Sequence, residues 1–107
     1  MMRNLNPIEL QQILDDDNSI ALLDVREPWE FEIVYIKGSI HIPMGELTQR
    51  LDELNSEKTT AVICHHGIRS RMVCTFLKQN DFQDLINLRG GIDAWAKEVD
   101  LNMPLYT

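Results

Sequence analysis

The chain has 107 residues, the size of one domain, since single domains cluster at about 100–150 residues. Hydrophobic residues make up 44% and charged residues 25%, which excludes an intrinsically disordered chain. The net charge of -7 argues against nucleic acid as a partner, because a phosphate backbone is bound through clustered Lys and Arg.

The charge is unevenly spread. Residues 1–60 hold 12 Asp/Glu against 5 Lys/Arg, whereas residues 61–107 hold 5 of each. The C-terminal half is therefore the better place to receive an anion. No apolar run approaches the roughly 18–20 residues of a membrane span. The stretch Met1 to Leu5 lacks the apolar core of a signal peptide. A cytoplasmic location with no membrane partner is expected. Two cysteines, Cys64 and Cys74, do not make a disulfide framework, and a reducing compartment keeps such thiols free.

In chain order, Asn6-Pro7 reads as a helix start, with Asn as cap and Pro at the first helical position. The helix runs to about Asp15 on a stripe of Leu10, Ile13 and Leu14. The acidic run Asp15–Asp17 reads as a solvated helix end. Ile20 to Val25 is a short apolar run suited to a strand buried on both faces. Pro28 opens a short helix through Phe31, and Gly38 to Ile42 reads as a strand closed by Pro43. An amphipathic helix follows over Gly45–Leu54, with Leu47, Leu51 and Leu54 on one face. Thr60 to Cys64 is a second buried strand; Arg69 to Gln79 is a helix with Met72, Val73, Phe76 and Leu77 inward. Leu85 to Leu88 is a further strand, Gly90-Gly91 turns into a last helix over Ile92–Glu98, and Pro104 ends the ordered chain. Trp29 and Trp95 read as packing residues, since aromatics bury much area. Strands alternating with helices imply an α/β fold, a central parallel sheet with helices on both faces. Residues 1–107 make a single domain in this reading.

In such folds ligands sit beyond the carboxyl ends of the strands, which directs attention to Cys64-His65-His66-Gly67-Ile68-Arg69-Ser70. This segment leaves a strand and enters a helix. A tight loop here turns successive backbone N–H groups toward one centre, and the helix N-terminus adds unpaired donors. Gly67 allows a backbone conformation that a side chain hinders, and Arg69 brings a planar fork of donors. A thiol at the mouth of such a cradle is favoured as its thiolate, the reactive nucleophile. The same donors suit an incoming oxyanion or a persulfide. Asp24, at the end of a buried strand, reads as tying down loop amides. Arg26 reads as pairing with an acid or assisting with the anion.

Asp24-Val25-Arg26-Glu27-Pro28-Trp29-Glu30-Phe31 resembles the front signature of rhodanese domains, and Gly38-Ser39-Ile40-His41-Ile42-Pro43 fits the segment that follows it. Cys64 to Ser70 is similar to their active-site loop, and Leu88-Arg89-Gly90-Gly91-Ile92-Asp93-Ala94-Trp95 to their closing signature. The resemblance runs from about Leu5 to Trp95. It implies a sulfurtransferase with no cofactor, in which Cys64 takes sulfur from a small anionic donor such as thiosulfate and passes it to cyanide or a thiol. It implies that the loop amides and Arg69 hold the donor, that Ser70 caps the helix, and that His65 and His66 shape the entrance. A protein sulfur donor or acceptor is a possible partner, and a monomer or weak homodimer is expected. The alternative is a persulfide carrier or sensing module loaded by a protein partner.

A phosphatase of related fold needs five residues between Cys and Arg, and here four intervene, His65, His66, Gly67 and Ile68. A metal site built on Cys64, His65 and His66 is disfavoured, because adjacent residues rarely converge on one tetrahedral ion, so none is expected. Cys74 reads as a buried thiol, with a resolving partner for Cys64 as the sharper alternative.

Overall fold

A computed structural model describes residues 2–107; Met1 lies outside them. Five parallel strands, β1 (Met2–Leu5), β2 (Ala21–Asp24), β3 (Ile40–His41), β4 (Thr60–Ile63) and β5 (Leu85–Leu88), form one sheet in the order β1-β5-β4-β2-β3. The helices are α1 (Pro7–Asp16), α2 (Pro28–Ile33), α3 (Leu47–Arg50), α4 (Ile68–Gln79) and α5 (Gly91–Glu98).

Successive strand residues face opposite sides of a sheet, and the core divides accordingly. Leu23, Val62, Cys64 and Leu85 join Leu47 of α3 and Val73, Cys74 and Leu77 of α4 in one cluster. Leu22, Ala61, Ile63, Ile86 and Leu88 join Leu10 of α1 and Ile92 and Trp95 of α5 in the other. Both faces of the sheet are thus covered, as the alternation of elements implies. The same parity puts Asn87, flanked by Ile86 and Leu88, on the α4 side of the sheet.

The α1 start follows its sequence signal. The Asn6 side chain accepts from the Glu9 N–H at 2.8 Å, and the Glu9 carboxylate accepts from the Asn6 N–H at 2.9 Å, a reciprocal capping box. Four expectations are corrected. The segment Gly45–Leu54 is broken, with α3 flanked by 3-10 turns at Met44–Glu46 and Leu51–Glu53. On α4 the inward stripe is Ser70, Val73, Cys74 and Leu77, and Met72 is 57% exposed; the buried spacing begins on a small polar residue, so it is easily read one position off. Trp95 is buried as expected, but Trp29 is 55% exposed and meets Tyr106 edge-on at 5.9 Å. The chain also stays ordered past Pro104, and Tyr106 packs against the cluster on the α1/α5 side.

Chain order and strand order together set the site. From neighbouring strands β2 and β4, the chain departs in opposite directions, from β2 to β3 and from β4 to β5. Such a reversal opens a crevice at the carboxyl ends of the two strands. The β2 side of it is anchored by a fully buried ion pair: the Arg26 Nη2 lies 2.7 Å from the Asp24 carboxylate, with both side chains at 0% exposure. Arg26→Ala strands the Asp24 carboxylate in the interior. We expect it to cost about 3–5 kcal/mol, read as a lowered midpoint in urea unfolding.

Candidate active site

Cys64 follows the last residue of β4 and is buried. Its Sγ accepts a hydrogen bond from the Gly67 N–H at 3.0 Å. Its thiol donates to the Ser70 Oγ at 3.3 Å; Ser70 in turn donates to the Asn87 Oδ1. The Asn87 amide nitrogen donates back to the Gly67 carbonyl at 3.4 Å and to the Asn4 Oδ1 at 2.9 Å. Cys64, Ser70, Asn87 and Gly67 therefore form a closed ring of contacts that fixes the sulfur's position. Ser70 does not cap the helix, contrary to expectation: α4 starts at Ile68 and its N-cap is Gly67, at φ 96°. Ser70 sits in the first turn, buried, and spends its hydroxyl on the ring.

The outer side of the loop is held by α5. The Ile92 N–H donates to the Cys64 carbonyl at 2.8 Å and the Asp93 N–H to the His65 carbonyl at 3.1 Å. The first-turn amides of a helix have no partner inside it, so they are free to take these carbonyls. The approach is close enough that a Cβ on Gly91 would lie 2.3 Å from the His65 oxygen. Gly91 is therefore more than a turn residue; it admits the loop onto the helix end.

Arg69 is brought to the crevice, but it is not a free cation. Its two terminal nitrogens lie 2.7 and 2.8 Å from the two oxygens of Glu30, which is buried. Glu30 also accepts from the Glu27 N–H at 2.9 Å and the Tyr106 hydroxyl at 2.9 Å. Burial alone would push this carboxyl up; the donors from Arg69, Glu27 and Tyr106 outweigh it and hold Glu30 at about 2. The pairing raises Arg69 further above its ordinary range.

Asp24 and Arg26 lie behind this pair. The Asp24 Oδ1 accepts from the Arg26 N–H at 3.0 Å, the loop-amide role expected of it. The Arg26 guanidinium also reaches the Glu30 carbonyl at 3.3 Å, the Val34 carbonyl at 2.6 Å and the Tyr106 hydroxyl at 3.0 Å. His41 Nε2 contacts the Arg26 carbonyl at 2.7 Å. Burial pushes the Tyr106 phenol up to about 12, so it stays protonated and donates to Glu30.

The two loop histidines differ. His65 is buried between rings, 3.9 Å from Tyr106 and 3.8 Å from His66, and its Nε2 has no hydrogen-bond partner. Burial, then the neighbouring His66, pushes it below the ordinary histidine range. His66 and Ile68 are exposed. His65, His66 and Asp93 bring ligand atoms within 4.8 Å of one another. The two histidine rings lie 3.8 Å apart, tilted by 32°. Asp93 is already paired with Lys97 at 2.9 Å. Cys74 is buried on α4 as a free thiol, and burial raises it to about 12.

Glu30, Tyr106, Asn87 and Asn4 were not singled out from the sequence as site residues. Glu30 lies inside the Asp24–Phe31 motif, and Asn87 is the one polar residue of an apolar strand; both were visible signals. Tyr106 and Asn4 carry no local pattern, because tertiary contacts alone bring them in.

A parallel α/β domain with a cysteine on the loop between a central strand and its helix is the class that this fold and site define. The family description Rhodanese-like domain matches residues 6–98, and the chain belongs to that family. A sulfurtransferase from Allochromatium vinosum is 32% identical over 97 residues, covering 91% of each chain. YrkF from Bacillus subtilis, named as a candidate sulfur carrier protein, is 39% identical over 90 residues, 84% of this chain and 49% of that relative. Against that relative and the adenylyltransferase/sulfurtransferase MoeZ of Mycobacterium tuberculosis, the chain spans half of the relative's length or less. A rhodanese-like domain protein from Staphylococcus aureus superposes with a TM-score of 0.84 at 27% identity, over 99% of this chain and 100% of that one. The relatives it matches are thus named as sulfurtransferases and as a candidate sulfur carrier protein. No helix among the described residues is long and apolar enough to cross a membrane.

The depressed Glu30 carboxyl sets a pH dependence. A carboxyl whose folded value lies below its ordinary 4.5 contributes stability above that value, and the contribution is lost as pH falls toward about 2. Urea midpoints should fall through this window in the native protein. Glu30→Gln should be less stable at pH 7 and show a flatter profile below pH 4.5.

Proposed function

We propose that the protein is a thiosulfate sulfurtransferase that carries sulfur as a persulfide on Cys64. The observation that carries this reading is the Gly67 N–H aimed at the Cys64 Sγ at 3.0 Å, on a loop whose carbonyls are drawn away by α5. A backbone donor fixed in advance gives a charged sulfur a stronger partner than a neutral one, and it serves the thiolate and the persulfide anion alike.

In the first step the Cys64 thiolate attacks the outer sulfur of thiosulfate. The new Sγ–S bond forms as the donor's S–S bond breaks, and sulfite leaves with the electron pair. In the second step the carbon of cyanide, or an acceptor thiolate, attacks the terminal sulfur of the persulfide. The Sγ–S bond breaks, the transferred sulfur leaves with the acceptor, and the Cys64 thiolate returns. Catalysis is two half-reactions through one covalent intermediate, so ping-pong kinetics are expected. His65, His66 and Ile68 form the rim, Arg69 braces the loop against Glu30, and Ser70 positions the sulfur. Asp24 and Arg26 support that wall from beneath.

One observation favours a second reading, a persulfide carrier loaded by a protein donor. Arg69 is occupied by Glu30, so the loop's own arginine is not open to a small dianion. YrkF, the relative named as a candidate sulfur carrier, fits this reading.

Intact mass spectrometry separates sulfur chemistry from its absence. Exposure to thiosulfate, or to a persulfidated protein donor, should add the mass of one sulfur atom, removed by cyanide and absent in Cys64→Ser. Loading by the protein donor alone selects the carrier. No sulfur gain from either donor overturns both readings.

A further inference from the structure

We propose that a cleft on the β1/β5 flank of the Cys64–Ser70 loop, opposite the Arg69–Glu30 pair, binds a small oxyanion of the sulfate, sulfite and phosphate class. The cleft has a volume of about 380 Å³ and is lined by Asn4, His66, Gly67, Arg71, Asn87 and Arg89 among others, with no carboxylate in its wall. Arg71 comes from the first turns of α4 and Arg89 from the end of β5, so the two guanidinium groups reach it from different elements.

The distribution of charge gives the cleft its meaning. Acids outnumber Lys and Arg by 17 to 10 in this chain, so an unpaired arginine is the less expected outcome. Arg3, Arg26, Arg50 and Arg69 are each paired with a carboxylate. Among the described residues, Arg71 and Arg89 alone of the arginines have no ion pair and no side-chain hydrogen bond, and both line this one cleft. Two cations facing a shared space repel each other, and a bound anion removes that cost while taking charge-assisted hydrogen bonds from both. Asn4 strengthens the donor set: its Oδ1 is taken by Asn87, which leaves its amide N–H groups to present. His66, exposed on the rim, adds a ring nitrogen.

The cleft touches the loop through His66, Gly67 and Ile68, while Cys64 is not part of its wall. An anion held there is beside the sulfur site and separate from it. It gathers the charged end of a donor, or the released sulfite, next to a loop whose own arginine is occupied. That use rests on the reading of Cys64 given above; oxyanion binding as such does not.

The test is a nitrogen-15 NMR titration of the native protein with sodium sulfate and then phosphate, against sodium chloride at matched ionic strength. Saturable shifts should appear at the amides of Gly67, Arg71 and Arg89 and at the two arginine Nε signals. In Arg71→Gln/Arg89→Gln the affinity should fall about tenfold or more, the loss of two charge-assisted contacts. Both side chains are exposed, so the α1 and β2 signals should report an intact fold. Shifts that chloride reproduces, that do not saturate, or that survive the double substitution overturn the proposal. In Cys64→Ser, which cannot react, tighter binding of sulfite and thiosulfate than of phosphate identifies the sulfur donor or its product as the ligand; equal binding identifies free oxyanions in general. Sulfur loading of the native protein is read independently by mass, so a cleft that binds in a chain that takes no sulfur keeps this inference and removes the function proposed above.

Discussion

The buried guanidinium of Arg26 organises one whole side of the crevice. A charge taken out of water needs a counter-charge and a full set of hydrogen bonds, and Arg26 gets both. Its Nε and Nη2 engage Asp24, Nη2 also reaches the Val34 carbonyl, and Nη1 takes the Glu30 carbonyl and the Tyr106 hydroxyl. Those acceptors belong to the end of β2, the middle and the C-cap of α2, and the C-terminal tail. None can move without leaving part of a buried cation unpaired. The group thus converts an electrostatic requirement into a geometric one. What it positions is Glu30, whose carboxylate then receives Arg69 from the opposite wall.

The loop between the walls is divided by the direction of its peptide groups. Carbonyls of Cys64 and His65 turn outward to the free amides of α5, and the Gly67 N–H turns inward to the sulfur. Two glycines make the division possible, Gly67 by its positive φ and Gly91 by leaving space where a side chain would strike the loop. The polar ring through Ser70 and Asn87 then holds the sulfur from the side of the sheet. Four elements, β4, α4, β5 and α5, have to arrive in register for one sulfur atom to be seated. This is why the family's motifs are spread from Asp24 to Trp95 although the chemistry proposed needs one thiol.

Much of this was legible in the residues, and the exceptions share a cause. The central strands β2, β4 and β5 announce themselves as short apolar runs because both faces of a covered parallel sheet are buried. Asn6-Pro7 marks α1 by chemistry local to four residues. By contrast β1, Met2–Leu5 with Arg3 and Asn4 in its middle, has no strand pattern; it is held by its pairing with β5. Tyr106 lies beyond a proline that reads as a terminus, and its place comes from Arg26, Glu30 and His65, each more than 40 residues away in the chain. Arg69 was identified, but its pairing was not, because a motif gives the presence of a charge and the fold gives its partner.

That distinction bears on how the charges of the C-terminal half are used. Residues 61–107 are electrically neutral in sum, yet the sum conceals a separation. The arginine nearest the sulfur in the loop is tied to an acid from the first half of the chain, Glu30. The acid nearest the histidines, Asp93, is tied to Lys97. Removing both from play leaves Arg71 and Arg89 uncompensated on one flank of the loop, in a molecule whose total charge is strongly negative. A field of one sign lining a concave surface draws counter-charge from solution more effectively than the same charges scattered on a convex one. The rigid pair on the β2 side gives the loop its shape, and the unpaired arginines on the β5 side give it its attraction for anions; a single arginine could not do both, because the carboxylate that immobilises it also cancels its charge.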